Sequence, residues 1–272
     1  MATLTSSTYN TVMSQKLKNA KALYLEGIRD GNYREAVEKY TGARYTQHST
    51  GVKDGKEGFI EFFGDFVQRC PVRDIEIVRS WVDGQYVFMH AYQNINNGEA
   101  QWVTMDILDT DQNDKMIEHW DVIQAYTEKT PSGHTSTDGP TEVTDLDKTE
   151  ENKTLVRNLI KDALMPGGDP SKLDQYISTE KYIQHNPEVA DGFENFQKLV
   201  MAPNRPLNYH EIVLLVGQGN FVATLCKATW TEDGKSQDFA QADVFRIEDG
   251  KVVEHWDCVE PVPENPVNGG KF

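Results

Sequence analysis

The sequence predicts an α+β fold carried twice in tandem, and three observations support that reading. A β-hairpin with a Glu-His-Trp-Asp signature occurs once around Glu118-His119-Trp120-Asp121 and again around Glu254-His255-Trp256-Asp257. Two shorter matches recur at a spacing one residue longer, 137 against 136, because the second hairpin loop is one residue shorter: Tyr45-Thr-Gln-His48 as Tyr182-Ile-Gln-His185, and Asp54-Gly55 as Asp191-Gly192. In each copy a helical period comes first and strand alternation after, the order that sets helices against one face of an antiparallel sheet. A repeat of this length is a whole domain and not a solenoid unit. The expected organisation is therefore a domain at residues 1–130, a linker at 131–147 and a second domain at 148–272.

Taken in order, the chain starts with a polar segment, and then Leu17, Ala20, Tyr24 and Ile28 recur at the spacing of an amphipathic helix that Asp30-Gly31-Asn32 ends. A short helix over Tyr33 to Tyr40 leads into an extended Tyr45-Thr-Gln-His48. Asp54, with Glu57 three residues on, has the pattern of a capping box, and Phe59, Phe62, Phe63 and Phe66 form an aromatic stripe expected to be core. Strands follow: one through Ile75 and Ile77 to a turn at Asp83-Gly84, one over Tyr86 to Ile95 closed by Asn97-Gly98, then Trp102 to Leu108 and Lys115 to Ala125. Residues 127–147 are rich in Thr, Ser, Gly, Pro and Asp, as a linker should be.

The second copy repeats the order. A helix runs from Leu155 to Leu164, a break at Gly167-Gly168-Asp169-Pro170 precedes a short helix, and Tyr182 to His185 is extended. A helix through Phe193, Phe196 and Val200 then leads to four strands with turns at Gly217–Gly219, Asp233-Gly234 and Glu248-Asp249-Gly250. The last residues are an irregular, Pro- and Gly-rich tail that can wrap over a neighbouring surface.

Composition narrows the functional classes. Both halves are acidic and together give a net charge of −16, which argues against binding to nucleic-acid phosphates or anionic membranes. The three cysteines, Cys70, Cys226 and Cys258, are odd in number, occupy unrepeated positions and form no Cys-x-x-Cys pair. A disulfide framework or thiolate metal site is not expected, and they read as small apolar residues of a reduced protein. No stretch of 18 consecutive apolar residues and no basic-then-apolar start occurs, so a cytoplasmic location is expected.

Hairpin pairing brings the polar residues together. A four-residue loop, Asp111 to Asp114, sets Asp106 opposite His119, and a three-residue loop, Glu248 to Gly250, sets Asp243 opposite His255. Alternation adds Asp121 and Asp257 to the same face, with Leu108, Ile117 and Ile123 in the first copy and Phe245, Val253 and Val259 in the second. Acid and imidazole among aliphatic side chains suit a general acid/base with a shifted pKa. The same residues also fit a cross-strand pair that satisfies itself in a core.

A metal held by His-x-Asp and His48 has no supporting ligand spacing, so none is expected. His48 and His185 fit either a pocket rim or a strand-end cap. His90 has no counterpart in the second copy, where Leu225 stands, and reaches the Asp106 face only if a bulge intervenes. Trp120 and Trp256 read as packing residues.

With Tyr182-Ile-Gln-His185-Asn-Pro, Asp191-Gly192 and the run from Asp243 to Asp257, the second copy resembles the SnoaL-like polyketide cyclases of the nuclear transport factor 2-like superfamily. The first copy resembles a divergent member. The resemblance implies cone-shaped domains in which helices and a curved antiparallel sheet enclose one pocket, pairing through the outer sheet face, so that the chain is a pseudo-dimer able to oligomerise further. It implies intramolecular aldol cyclisation or a proton shift beside a carbonyl, with an acidic residue as acid/base and no metal or organic cofactor. The matching positions are His48, His90, Asp106, His119 and Asp121 in the first domain and His185, Asp243, His255 and Asp257 in the second. Leu225, in place of the family's His, counts against the second pocket.

Two functions follow: an enzyme of this class acting on a small hydrophobic carbonyl compound, and a non-catalytic binding protein that uses the same pocket.

Overall fold

The computed structural model describes residues 13–202, 205–232 and 234–272. The start of the chain, and Asp233 of the expected Asp233-Gly234 turn, lie outside them. Two five-stranded sheets, each with its own helices, make the chain α+β. In the first lobe α1 (Gln15–Ala22) runs directly into a π-helical stretch, Leu23–Arg29, followed by α2 (Tyr33–Tyr40) and α3 (Gly55–Arg69). Its sheet order is β1 (Thr41–Gln47), β5 (Met116–Ala125), β4 (Ala100–Thr110), β3 (Tyr86–Ile95), β2 (Arg73–Asp83).

The second lobe repeats the plan. Helix α4 (Thr149–Leu159) continues as a π stretch, Ile160–Leu164, and α5 spans Phe193–Val200. The sheet order is β6 (Ile183–Gln184), β10 (Lys251–Pro261), β9 (Lys235–Glu248), β8 (Phe221–Glu232), β7 (Leu207–Gln218). No helix among the described residues is long and apolar enough to cross a membrane.

The Tyr-x-Gln-His segments join the sheets as fifth strands parallel to the last strand, setting Gln47 beside His119 and Gln184 beside His255. The expected sheets were purely antiparallel. The duplicated Asp-Gly pairs hold these strands. Asp54 occupies the N-cap position of α3, yet its side chain makes no capping bond; it accepts the Gln47 N–H at 2.8 Å instead, and Asp191 accepts the Gln184 N–H at 2.8 Å. The glycines that follow, at φ of 77° for Gly55 and 99° for Gly192, turn the chain where a side chain would be strained.

Strand register differs from the expectation. Asp106 pairs with Asp121 and Asp243 with Asp257, while the histidines pair with Leu108 and Phe245. Each hairpin has slipped by one residue at the turn and by one more at a bulge. The second turn is two residues, Asp249-Gly250 at φ 48° and 73°, with a bulge at Val253; the first loop runs from Asp111 to Lys115, with a bulge at Ile117. Two one-residue slips leave parity unchanged, so each Asp/His/Asp trio still shares one face. Ile117 and Val253 do lose their expected inward places, which Met116 and Val252 take in the helix-covered cores.

The other faces of the two sheets pack together. Trp81, Phe88, Met105, Trp120 and Val122 of the first lobe form one core with Phe221, Leu225, Val244 and Trp256 of the second. The contact is reciprocal at the strand ends: the Ile123 N–H donates to Glu260 Oε2 at 2.9 Å and the Val259 N–H to Gln124 Oε1 at 2.8 Å. Such mutual pairing of corresponding residues is the signature of an isologous, two-fold-like interface.

Candidate active sites in the two lobes

In the first lobe a cavity of about 320 Å³ lies between the helices and the inner sheet face. Its walls include Tyr24, Tyr45, Phe62, Phe63, Phe66 and Trp102. The α3 stripe expected to be core is thus fully buried only at Phe59, which is 3% exposed; Phe63 and Phe66 pack against that core, and all four rings line the cavity. His119 and Asp121 line the same space, with Asp106 fully buried beside them.

Asp106 is fully engaged. It accepts from Tyr24 Oη, from Thr104 Oγ1 at 2.7 Å and from His119 Nε2 at 2.9 Å. His119 Nδ1 lies 2.8 Å from Gln47 Oε1, an oxygen whose identity is set because it also accepts the Ser49 N–H at 3.0 Å. Both ring nitrogens therefore face acceptors, which calls for the imidazolium form. Burial pulls the His119 pKa down, but the hydrogen bond to Asp106 and the charges of Asp121 and Asp106 outweigh it, and the pKa is raised. Asp121 is held below the usual carboxylate range: burial raises it, and the Lys271 ammonium, 3.1 Å away, together with His119 lowers it further.

The second lobe keeps the trio and changes its surroundings. Its cavity is larger, about 750 Å³, and includes Asn186, Phe196, Tyr209, Trp230, His255 and Asp257 in its walls. His255 again sits between acceptors, Gln184 Oε1 at 2.9 Å and Asp243 Oδ1 at 3.0 Å, and its pKa is raised, the bond to Asp243 and the Asp257 charge overcoming burial. Asp243 also accepts from Tyr209 Oη at 3.0 Å, Thr224 Oγ1 at 3.2 Å and Gln241 Nε2 at 2.9 Å. Among the described residues Asp257 has no ammonium or guanidinium beside it comparable to Lys271. Asn186 donates to its Oδ2 at 2.7 Å, while its Oδ1 is buried with no partner among the described residues. Burial raises its pKa, and the His255 charge does not bring it back.

The ligand-type atoms of each trio lie within 4.8 Å of one another, close enough for one divalent ion. In both trios, though, the imidazole carries protons where a metal would need a lone pair.

Three expected pocket histidines lie elsewhere. His90 pairs with Met105 and so points to the inter-lobe face, with no bulge to turn it; Arg79 donates to its Nδ1 at 3.1 Å, and burial and the Arg79 charge push its pKa well below the ordinary value. His48 stacks on Trp120 with ring centres 4.9 Å apart, bonds Glu118 Oε1 at 2.9 Å and donates from Nδ1 to the Gly270 carbonyl at 2.9 Å. His185 does the same on Trp256, with Glu254 at 2.9 Å and the Thr135 carbonyl at 2.8 Å. They anchor chain segments between the lobes: the C-terminal tail docks on the first lobe and residues 134–138 dock on the second. Because His90 is not a cavity residue, Leu225 in its place does not count against the second pocket.

Sequence reasoning missed Tyr24, Tyr209, Gln241, Asn186, Gln124 and Lys271. Only Asn186, directly after the duplicated motif, carried a local signal.

No curated protein matches the chain. Among solved structures, a candidate polyketide cyclase from Bacillus cereus is similar at 20% identity, TM-score 0.36, over 41% of this chain and 79% of its own. An LEH-like epoxide hydrolase from M. tuberculosis is similar at 16% identity, TM-score 0.36, over 42% of this chain and 85% of its own. A candidate polyketide cyclase from Acidithiobacillus ferrooxidans is similar at 18% identity, TM-score 0.37, over 42% and 92%. The family description that fits is SnoaL-like polyketide cyclase, matched over residues 154–263, and that stretch, from within α4 to just beyond β10, is a SnoaL-like domain.

Proposed function

We propose that the chain is a covalent pair of SnoaL-like domains, a divergent copy at 1–130 and a second at 148–272, whose second lobe carries acid–base chemistry beside a carbonyl of a small hydrophobic substrate. The observation that carries this reading is Asp257: a cavity-lining carboxyl with a raised pKa whose buried Oδ1 has no partner among the described residues. A general base needs that combination of a place on the cavity wall and raised basicity.

Asp257 removes a proton from the carbon next to the carbonyl; the C–H electron pair moves into the enolate and the new O–H bond forms on the carboxylate. The enolate carbon then attacks a second carbonyl of the same molecule, closing a ring, or is reprotonated at another position, and Asp257 returns the proton. His255, fixed as an imidazolium between Gln184 and Asp243, supplies positive charge near the developing enolate. The first lobe suits binding without turnover, because Lys271 already neutralises Asp121 and the cavity walls are largely aromatic.

The test is α-hydrogen exchange of 2-tetralone in D2O, followed by NMR. Asp257→Asn is expected to lower the catalysed rate by about 10²–10⁴-fold, and Asp121→Asn to leave it in place. A folded Asp257→Asn that exchanges at the wild-type rate would falsify the assignment.

A further inference from the structure

Building on the acid–base reading, we infer that Gln124, a residue of the first lobe, is the hydrogen-bond donor that holds the substrate's carbonyl oxygen in the second lobe's cavity. Gln124 lies on β5 next to Ile123, so while Ile123 faces the first cavity the Gln124 side chain points to the other side of the sheet. There it lines the second cavity, the one residue before the linker to do so among those that form its walls.

Its orientation is set. The Val259 N–H donates to Gln124 Oε1 at 2.8 Å, which fixes the oxygen toward β10 and leaves the amide N–H2 as the other prong, without a partner among the described residues. A carboxamide held by its oxygen presents two donors at low entropic cost.

Gln124 and Asp257 both line the second cavity, and by the pseudo-two-fold they take the places that Glu260 and Asp121 hold in the first lobe. Gln124 stands to Val259 as Glu260 stands to Ile123. In the first lobe the corresponding pair, Glu260 and Asp121, is bridged by a single atom: Lys271 Nζ lies 2.8 Å from Glu260 and 3.1 Å from Asp121. Among the described residues the second lobe has no such bridge. The carbonyls of Gly270 and Thr135 occupy matching positions on His48 and His185, so Ser136 is the counterpart of Lys271, and its hydroxyl turns back to the Thr127 carbonyl at 3.2 Å.

The chemistry of the two spots differs accordingly. Two carboxylates bracket the Lys271 ammonium in the first lobe; in the second, one carboxyl and one neutral amide bracket a place suited to an uncharged oxygen. The ligand class is a neutral ketone, its oxygen on the Gln124 N–H2 and its α-carbon at Asp257. Because each lobe supplies part of the second site, neither the linker nor the first lobe is dispensable for it.

Binding of 2-tetralone and of tetralin, the same skeleton without the oxygen, separates this role from packing; quenching of the cavity's Trp230 reports both. Wild-type protein is expected to prefer the ketone. Gln124→Glu keeps the acceptor for the Val259 N–H and removes the donor, so ketone affinity is expected to fall roughly tenfold while tetralin affinity stays within twofold; Gln124→Ala should do the same.

Equal loss of both ligands marks a packing role and overturns the inference, as does a wild-type protein with no preference or a Gln124→Glu protein that retains it. These outcomes do not depend on turnover, so a failure of Asp257→Asn to slow exchange would sink the acid–base reading and leave the ketone contact standing.

Discussion

The two lobes carry the same Asp/His/Asp trio on the same strands, yet the second aspartate is pushed in opposite directions: lowered at Asp121, raised at Asp257. Both side chains are buried to a similar degree, 5% and 7% exposed, and each has an imidazolium beside it. The main difference is one ammonium brought by the C-terminal tail from 150 residues away, Lys271; in the second lobe the Asp243 charge adds to the upward push. The two lobes share the inner constellation and differ in what reaches its open side. A catalytic carboxyl in this fold is therefore made or unmade by groups outside the motif.

The largest effect expected from breaking the pairing of the lobes falls on their shared core. Trp256 is fully buried, stacked on His185 with centres 4.6 Å apart, covered by the Arg79 guanidinium at 4.1 Å and bonded through Nε1 to the Asp138 carbonyl at 2.9 Å. Trp120 is 8% exposed and has the His48 stack. Trp256→Ala is expected to cost about 4 kcal/mol, and Trp120→Ala clearly less, as read from urea midpoints. Equal losses would show that the two faces of the interface are energetically alike.

Much of this asymmetry was invisible in the sequence for definable reasons. The trio's common face was legible, because alternation survives two compensating one-residue slips, but the pairing partners were not, because a bulge leaves no residue signature at Ile117 or Val253. The position of His90 was legible, since a plain turn at Asn97-Gly98 already sends it to the far face. The tyrosine donor to each buried aspartate could not be read by matching the halves: Tyr24 comes from the π-helical stretch after α1, and Tyr209 from β7. Lys271 and Gln124 act across the interface, where no local pattern points.

A sharper comparison exchanges the charge states. In Lys271→Met, Asp121 loses its cation and keeps its burial, so its carboxyl should rise above the usual range and come to resemble Asp257. The variant is expected to lose roughly 3 kcal/mol at pH 7, as removing one member of a buried pair does. In the wild type the lowered Asp121 pKa gives stability that is present above the unfolded value and is lost as pH falls through the folded value. The gap between wild type and variant should thus shrink with acid.

Asp257→Asn should move the other way. A carboxyl with a raised folded pKa costs stability as pH climbs past its unfolded value, so removing its charge should stabilise the protein by roughly 1 kcal/mol at neutral pH and by nothing near pH 3. Denaturation at both pH values checks the pair. Two variants that shift in the same direction would mean that Lys271 does not distinguish the lobes.

The smallest expected difference concerns the segments strapped over each lobe. The linker carries His134, whose Nε2 lies 2.9 Å from Asp191 Oδ2, and the tail has Gly269 at the corresponding place, so at this position the strap on the second lobe alone holds an ionisable contact; the tail's own ion pairs, through Lys271, lie two residues further on. The hydrogen bond to Asp191 raises the His134 pKa, against a lesser effect of burial. Its stabilisation is complete below the unfolded value of about 6.5 and is lost as pH rises through the folded one. With side chains 30% and 36% exposed, solvent screening keeps the effect under about 1 kcal/mol.

Hydrogen exchange offers the needed resolution. The Ser136 amide, bonded to the Thr127 carbonyl at 3.0 Å, should be protected more strongly at pH 5.5 than at pH 8.5 once intrinsic rates are divided out, and His134→Ala should erase that dependence. The Gly270 amide of the tail, bonded to Asn268 Oδ1 at 2.9 Å, should show none. If both amides respond alike, the histidine is not what ties the linker down, and the straps differ in sequence without differing in behaviour.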